Sequence, residues 1–152
     1  MGRGRTFLRI VDDRLKEVTI LKYQKEYGNC KHIASGKVRE IYENKADNTI
    51  YLVATDRVSA FDEVLEVEIP DKGRILTAIS AEMSSIAECE WKMPMAFIWS
   101  NIIPANEGGL YIESSMDEVF AGPDGVILPE FAGRVTEMYR LKMFDVECIV
   151  RG

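Results

Sequence analysis

The stretch "KHIASGKVREIYE" (31–43), followed by "NTIYLVATD" (48–56), decides the fold. Both runs are rich in the β-branched and aromatic residues of strands, and the polar "NKADN" (44–48) between them suits a turn, which predicts two antiparallel strands. The second run places Ile50, Tyr51, Leu52 and Val53 consecutively, the pattern of a strand buried on both sides. The first is interrupted by Gly36, Lys37 and Arg39. Glycine weakens a strand interior, and cations can be placed anywhere on a surface, so the interruption needs a reason.

Upstream, Leu8, Val11, Leu15, Val18 and Leu21 fall three or four apart and predict a helix over Phe7–Tyr23, stopped by "YGN" (27–29), where Gly28 suits a left-handed cap. Downstream, "TDRVSAFDE" (55–63) reads as an acidic loop and "VLEVEIPDKGR" (64–74) as an extended segment, with Pro70 and Gly73 marking a turn. The helical spacing of Ile75, Ile79, Met83, Ile86 and Ala87 predicts a helix bounded by Pro94. "MAFIWSNII" (95–103) reads as a strand, "SSMDEVFA" (114–121) as a short serine-capped helix, and "GPDGVILPEFAG" (122–133) as loops. "RVTEMYRLKMFDVECIVRG" (134–152) holds two β-rich runs broken near Phe144 and Asp145. The reading is α+β, a mainly antiparallel sheet with flanking helices, divided into an N-terminal helical extension (1–28) and one α+β unit (29–152). The chain stops directly after a predicted strand, which looks like a boundary cut from something longer.

Composition narrows the function classes. The 152 residues, 47% hydrophobic and 29% charged, suit one globular unit. With 19 Lys and Arg against 25 Asp and Glu, the net charge of -6 argues against a partner bound by neutralising nucleic-acid phosphates. Arg3, Arg5, Arg9, Arg14, Lys16, Lys22 and Lys25 crowd the first 31 residues, but they alternate with apolar and acidic residues at helical spacing, unlike a basic arm. Cys30, Cys89 and Cys148 are far apart and His32 is the only histidine, so a structural zinc site is not expected; the thiols suit a reducing cytoplasm. The longest apolar run, "MAFIW", is too short to span a bilayer. "MGRGRT" fits a myristoylation pattern, but a form this loose matches by accident and a single acyl chain anchors weakly.

Four segments carry residue types suited to anions. In "SGKVR" (35–39), backbone amides near Gly36 and the Lys37 ammonium could receive a polyphosphate. It is not a Walker A loop, because Lys31 stands where the first glycine is needed and Val38 follows the lysine. A strand-turn-strand lid over phosphates is the better analogue, although taken alone an ordinary hairpin with solvated cations explains it better. Asp56, Arg57, Ser59, Asp62 and Glu63 follow a buried strand, either as a rigidly held site or as a solvated loop with an Asp56–Arg57 neighbour pair. Lys72, Gly73 and Arg74 precede a helix, where amides, dipole and cations could converge on an anion; a charged turn explains them equally well. Glu147 and Arg151, four apart on a β run, share a sheet face as a phosphate clamp or as a structural ladder.

In this order and at these separations, "SGKVREIY", "VATDRVSAFD", "IPDKGRILTAIS" and "VECIVRG" resemble the phosphoribosylaminoimidazole-succinocarboxamide synthase (SAICAR synthetase) family over residues 32–152. The resemblance implies the first, kinase-N-lobe-like part of a two-part α+β fold, and an ATP- and Mg2+-dependent ligase that joins carboxyaminoimidazole ribonucleotide to L-aspartate through an acyl phosphate. It implies ATP binding by Ser35, Gly36, Lys37, Val38 and Arg39, and a mobile substrate loop of Ser59, Ala60, Phe61 and Asp62 bordered by Lys72 and Gly73. With Asp56, Arg57 and Arg74, these would face the small-molecule substrates; Glu147 would lie by the imidazole nucleotide and metal, and Arg151 would bind its phosphate. Family members normally continue past "VRG" into the part that completes the nucleotide site and holds the magnesium-binding acids. The expectation is therefore an N-terminal portion, inactive alone, that is either a truncated product or a separate half needing a partner, the expected partners being a complementary C-terminal fragment or a homo-oligomer. Its rivals are a non-catalytic nucleotide-binding or interaction module, and a structural fragment whose exposed sheet face drives self-association.

Overall fold

The computed structural model describes residue 23 and residues 26–104, 110–112, 117–121, 127–143 and 145–146. The predicted helix over Phe7–Tyr23, apart from the helical Tyr23, and the last β-rich run with Glu147 and Arg151 lie outside these residues. Strands are β1 (Cys30–Ser35), β2 (Arg39–Asn44), β3 (Thr49–Ala54), β4 (Arg57–Ala60), β5 (Glu63–Glu68), β6 (Phe97–Ser100), β7 (Ile102–Pro104), β8 (Leu110–Ile112) and β9 (Val135–Tyr139). Helix α1 spans Lys72–Cys89, and a single 3-10 turn spans Asp117–Phe120.

The main sheet runs β1-β2-β3-β9-β6, every neighbour antiparallel, which gives the expected α+β architecture. The first run, however, is two strands and not one. Gly36 to Val38 form the turn of a hairpin, with Ser35 opposite Glu40. Glycine, lysine and valine therefore break no strand; they connect two. The loop expected over 55–63 is likewise a hairpin, β4 and β5, with Phe61 and Asp62 at its tip between the paired Ala60 and Glu63. The alternation Val58, Ala60 against Ser59, followed by the β-branched "EVLEVE", satisfies the backbone by pairing where the acidic composition had suggested a loop.

β3 alternates instead of being buried on both sides. Thr49, Tyr51 and Val53 are buried, and Ile50, Leu52 and Ala54 are half-buried on the opposite face. On the buried side, Tyr42, Phe120 and Phe131 meet Tyr23, Tyr51, Val53, Cys30 and Val135. Phe120 stacks on Phe131 at 4.4 Å between ring centroids; Tyr42 meets both rings edge-on, and Tyr51 meets Phe120. Each buried aromatic contributes roughly 2–3 kcal/mol, so this cluster anchors the sheet that carries the turns.

Helix α1 begins at Lys72, three residues earlier than the apolar spacing indicates, so Gly73 lies in its first turn and not in the preceding one. Its inward face is built from small residues, Gly73, Thr77, Ala78, Ala81, Ser84 and Ala87, which lets it lie close to the sheet. The large side chains Ile75, Ile79 and Met83 are on the outside, with Leu76 exposed at the edge that borders the sheet. "MAFIWSNII" is also divided. β6 joins β9, whereas β7 pairs with β8 in a separate ribbon. The side chain of the buried Asn101 at the division donates to the Phe131 carbonyl (3.0 Å) and accepts from the Val135 amide (2.9 Å), while its own amide donates to the Val135 carbonyl (3.1 Å). No helix among the described residues is long and apolar enough to cross a membrane.

Candidate functional site

The β1–β2 turn is fixed by its carbonyls. The Gly36 amide donates to the Arg39 carbonyl at 2.7 Å and closes the turn. The Gly36 carbonyl accepts from Arg57 Nη2 (3.1 Å), and the Val38 carbonyl accepts from both the amide (3.0 Å) and the hydroxyl (2.9 Å) of Thr55. Both carbonyls thus turn inward. Among the described residues, neither the Lys37 nor the Val38 amide has a hydrogen-bond acceptor. A Cβ on Gly36 would lie 3.3 Å from the Arg39 carbonyl oxygen, so the glycine permits the close approach that tightens the turn.

Beneath the turn lies a buried carboxylate that the sequence reading had passed over. Glu40 is fully buried and accepts from Arg57 Nη2 (2.6 Å) and Ser35 Oγ (2.5 Å), with His32 Nε2 at 2.9 Å. Burial of a charge requires this degree of pairing. The signal was present in the strand period, since Glu40 shares the inward face of β2 with Tyr42 and Asn44. The same bonds show what Ser35 and Arg57 do in this chain: the hydroxyl points inward, and the guanidinium, also held to Thr55 Oγ1 at 3.0 Å, is buried as a brace beneath the turn.

Asp56 forms a second buttress. Its carboxylate makes a two-pronged pair with Arg134, 2.8 Å on one side, and accepts from the amides of Gly73 (2.9 Å) and Asp71 (3.2 Å) at the start of α1. Partial burial pushes this carboxyl up, but the Arg134 guanidinium and the two amides outweigh it and hold Asp56 below the usual carboxylate range. The sequence suggested that this helix start could receive an anion. The anion in place is the chain's own Asp56. Gly73 is required here, because a Cβ would stand 2.4 Å from both the Ala54 oxygen and Arg134 Nη1. Arg74 is tied to the Ala132 carbonyl and to Asp71, each at 3.0 Å, and Lys72 Nζ donates to the Arg57 carbonyl at 3.0 Å.

The β4–β5 tip comes over to the first turn. Lys37 Nζ lies 2.6 Å from Asp62 Oδ1, and this hydrogen bond, followed by the charge of Lys37, holds the Asp62 carboxyl below its ordinary value. Phe61 and Asp62 both adopt positive φ, 50° and 70°, and the Phe61 ring is wholly exposed. Ser59 and Ala60 stand half-buried on β4. Between α1 and the outer face of the sheet lies a cavity of about 220 Å³, bordered by Val38, Arg39, Leu52, Lys72, Leu76 and Phe97. The turn and the first residue of α1 therefore meet at one cleft, although they lie in separate parts of the sequence. Among the described residues no group of three or more His, Cys, Asp or Glu is placed to hold a metal ion.

A family model described as SAICAR synthetase matches residues 32–152. The phosphoribosylaminoimidazole-succinocarboxamide synthase of Mycobacterium bovis is 41% identical over 123 residues, 80% of this chain and 32% of the relative. That of Corynebacterium glutamicum is 39% identical over 129 residues, 84% of this chain and 34% of the relative. A solved SAICAR-synthase from Saccharomyces cerevisiae, complexed with SAICAR, has a TM-score of 0.52 and 27% identity, covering 74% of this chain and 34% of that one. The chain spans about a third of the length of the curated relatives it matches.

Proposed function

The chain belongs to the SAICAR synthetase family, and from that premise we propose that it forms the phosphate-gripping part of an ATP-dependent ligase joining carboxyaminoimidazole ribonucleotide to L-aspartate. The observation that carries this reading is the β1–β2 turn, with its carbonyls tied inward and the Lys37 and Val38 amides unclaimed among the described residues, beside Lys37 and Arg39. Amides and ammonium together match the oxygens of a polyphosphate, as in other backbone anion cradles. In this reading the ATP phosphates lie on Lys37, Val38 and Arg39, Gly36 and Ser35 shape the turn, and the base enters the cleft bordered by Leu52 and Phe97.

The reaction proceeds by transfer of the ATP γ-phosphoryl group to the substrate carboxylate, giving ADP and an acyl phosphate. The aspartate amine then attacks the carbonyl carbon, forming the C–N bond and expelling phosphate as the amine loses a proton. Lys37 and Arg39 offset charge that gathers on the transferring group. The Ser59–Asp62 end of the β4–β5 hairpin lies on the substrate side, with Lys72 at the cleft and Gly73 and Arg74 behind it. Asp56 and Arg57 serve that side through the pairs that brace it. Glu147 and Arg151 lie outside the described residues, and the family resemblance alone assigns them to the ribonucleotide and its phosphate. Magnesium would offset the phosphate charge in such a transfer; the described residues offer no ligand set for it, and in this reading the remaining two thirds of the family fold supply one. The ligase works in the cytoplasm.

The partner in this reading is a complementary part carrying those two thirds, and the exposed Ile75, Ile79 and Met83 on the outer face of α1 support it. The chain alone is expected to bind ATP without turnover. A coupled ADP-release assay with both co-substrates, run with and without the C-terminal two thirds of a relative, tests this. Turnover restored by the added part, and lost in Lys37→Ala, is the expected result. Binding of ATP with no turnover in the restored pair would instead favour a non-catalytic nucleotide-binding module, and absence of ATP binding would remove the phosphate reading.

A further inference from the structure

Building on the phosphate-binding reading above, we propose that Asp62 is a built-in competitor for the anion at Lys37, and that the Lys37–Asp62 ion pair is a clasp between two hairpin tips which an incoming polyphosphate must open. The two side chains come from different sheets and meet at 2.6 Å. Half of the Lys37 side chain and 93% of the Asp62 side chain remain exposed, so charge and one hydrogen bond hold the contact, in full reach of water and salt.

The other carboxylates of the site are held differently. Glu40 is enclosed by Arg57, Ser35 and His32, and Asp56 by Arg134 and two backbone amides. Displacing either would leave a buried charge unpaired, which is costly. Displacing Asp62 returns a solvated carboxylate to water. The contact is also a chemical stand-in for the ligand: an anionic oxygen accepts from Lys37 Nζ, right beside the unclaimed Lys37 and Val38 amides. Among the described residues Asp62 engages only the ammonium, whereas a polyphosphate reaches ammonium and amides together and so wins the exchange.

Opening the clasp releases a strained tip. A bulky residue at positive φ is uncommon, and Phe61 holds φ 50° with its ring in solvent, next to Asp62 at φ 70°. The Lys37 contact is the side-chain tie between this tip and the phosphate turn. Anion arrival at one hairpin is thereby converted into freedom of the other, on the side where the co-substrates are proposed to bind.

The test is calorimetric titration of the full chain with sodium tripolyphosphate at low salt, for wild type, Asp62→Asn, Glu63→Gln and Lys37→Ala. Glu63→Gln removes the same charge one residue away, without touching Lys37. Asp62→Asn is expected to bind about two- to fivefold more tightly than wild type, the range of an exposed pair, with a much smaller gain in Glu63→Gln and loss of binding in Lys37→Ala. Amide resonances of Phe61 and Asp62 are expected to shift on addition of tripolyphosphate to wild type. Equal or weaker binding by Asp62→Asn, or an equal gain in Glu63→Gln, overturns the clasp while leaving Lys37-dependent binding intact. If wild type does not bind, or binds as well as Lys37→Ala, the phosphate reading itself fails and the clasp with it.

Discussion

Two segments of this chain look alike as sequence and do opposite things as structure. "SGKVR" and "DKGRI" each set a glycine beside cations where backbone amides come together, and each reads as a place for an anion. At α1 the place is filled, because Asp56 accepts from the Gly73 and Asp71 amides and Arg134 neutralises it. At the β1–β2 turn the carbonyls are tied inward, the Lys37 and Val38 amides are unclaimed among the described residues, and the carboxylate on Lys37 is the solvated Asp62. Composition marks both as anion-suited. Whether an acid elsewhere in the chain has already taken the position separates a buttress from a site.

The sharpest way to break the comparison is to add one methyl group to each glycine. Gly73→Ala drives a Cβ to 2.4 Å from the Ala54 oxygen and from Arg134 Nη1, so it must displace backbone or the Asp56–Arg134 pair. A loss of about 3 kcal/mol or more in urea unfolding is expected. Gly36→Ala comes no nearer than 3.3 Å, to the Arg39 oxygen, and is expected to cost about 1 kcal/mol. Equal costs would mean that the two turns are equally packed, contrary to the geometry described above.

Asp56→Asn comes next. It keeps the shape but removes the charge that Arg134 and the helix amides face, and a loss of about 2 kcal/mol at neutral pH is expected. The sign with pH follows from the lowered Asp56 carboxyl. A group whose folded value is depressed stabilises fully above its ordinary carboxylate value and loses that contribution as the pH falls through the folded value. The urea midpoint of wild type should therefore decline on the acid side more steeply than that of Asp56→Asn, and parallel curves between pH 7 and pH 2 would sink the assignment.

Much of this arrangement was legible in the sequence, and the rest was hidden for identifiable reasons. The antiparallel β2–β3 pair followed from the strand-forming residues on either side of the polar "NKADN". The β4–β5 hairpin was not legible, because its tip uses Phe61 and Asp62 at positive φ, where the usual signal is Asn-Gly or a comparable pair. The early start of α1 was masked by Gly73, which normally argues for a turn but here allows close approach to Ala54. Arg134 could not be paired with Asp56 from spacing, since seventy-eight residues and a return strand separate them. Glu40 was within reach of the strand period, which places it among core residues; an acid at such a position demands a cation, and Arg57 is the one.

Cysteine chemistry gives a smaller contrast between the sheet and the helix. Cys30 is buried in the aromatic cluster, and burial, followed by the charge of Glu137, pushes its thiol up to about 11; Cys89, at the end of α1, is exposed. Alkylation with iodoacetamide at pH 8, followed by peptide mapping, is expected to label Cys89 well before Cys30, and comparable rates would show that the core opens readily.

The smallest effect expected is also the most telling. Lys37→Ala removes a half-exposed cation whose only described partner is the solvated Asp62, so the urea midpoint should stay within error of wild type, as for most exposed pairs. The same substitution should abolish tripolyphosphate binding, whereas Asp56→Asn destabilises the fold while the protein that remains folded still binds. A variant neutral for stability and null for binding, set against one costly for stability and competent for binding, would divide the two glycine–cation segments into site and buttress. If Lys37→Ala instead lowers the midpoint as much as Asp56→Asn does, both segments are buttresses, and the two unclaimed amides at the β1–β2 turn lose their case as a phosphate cradle.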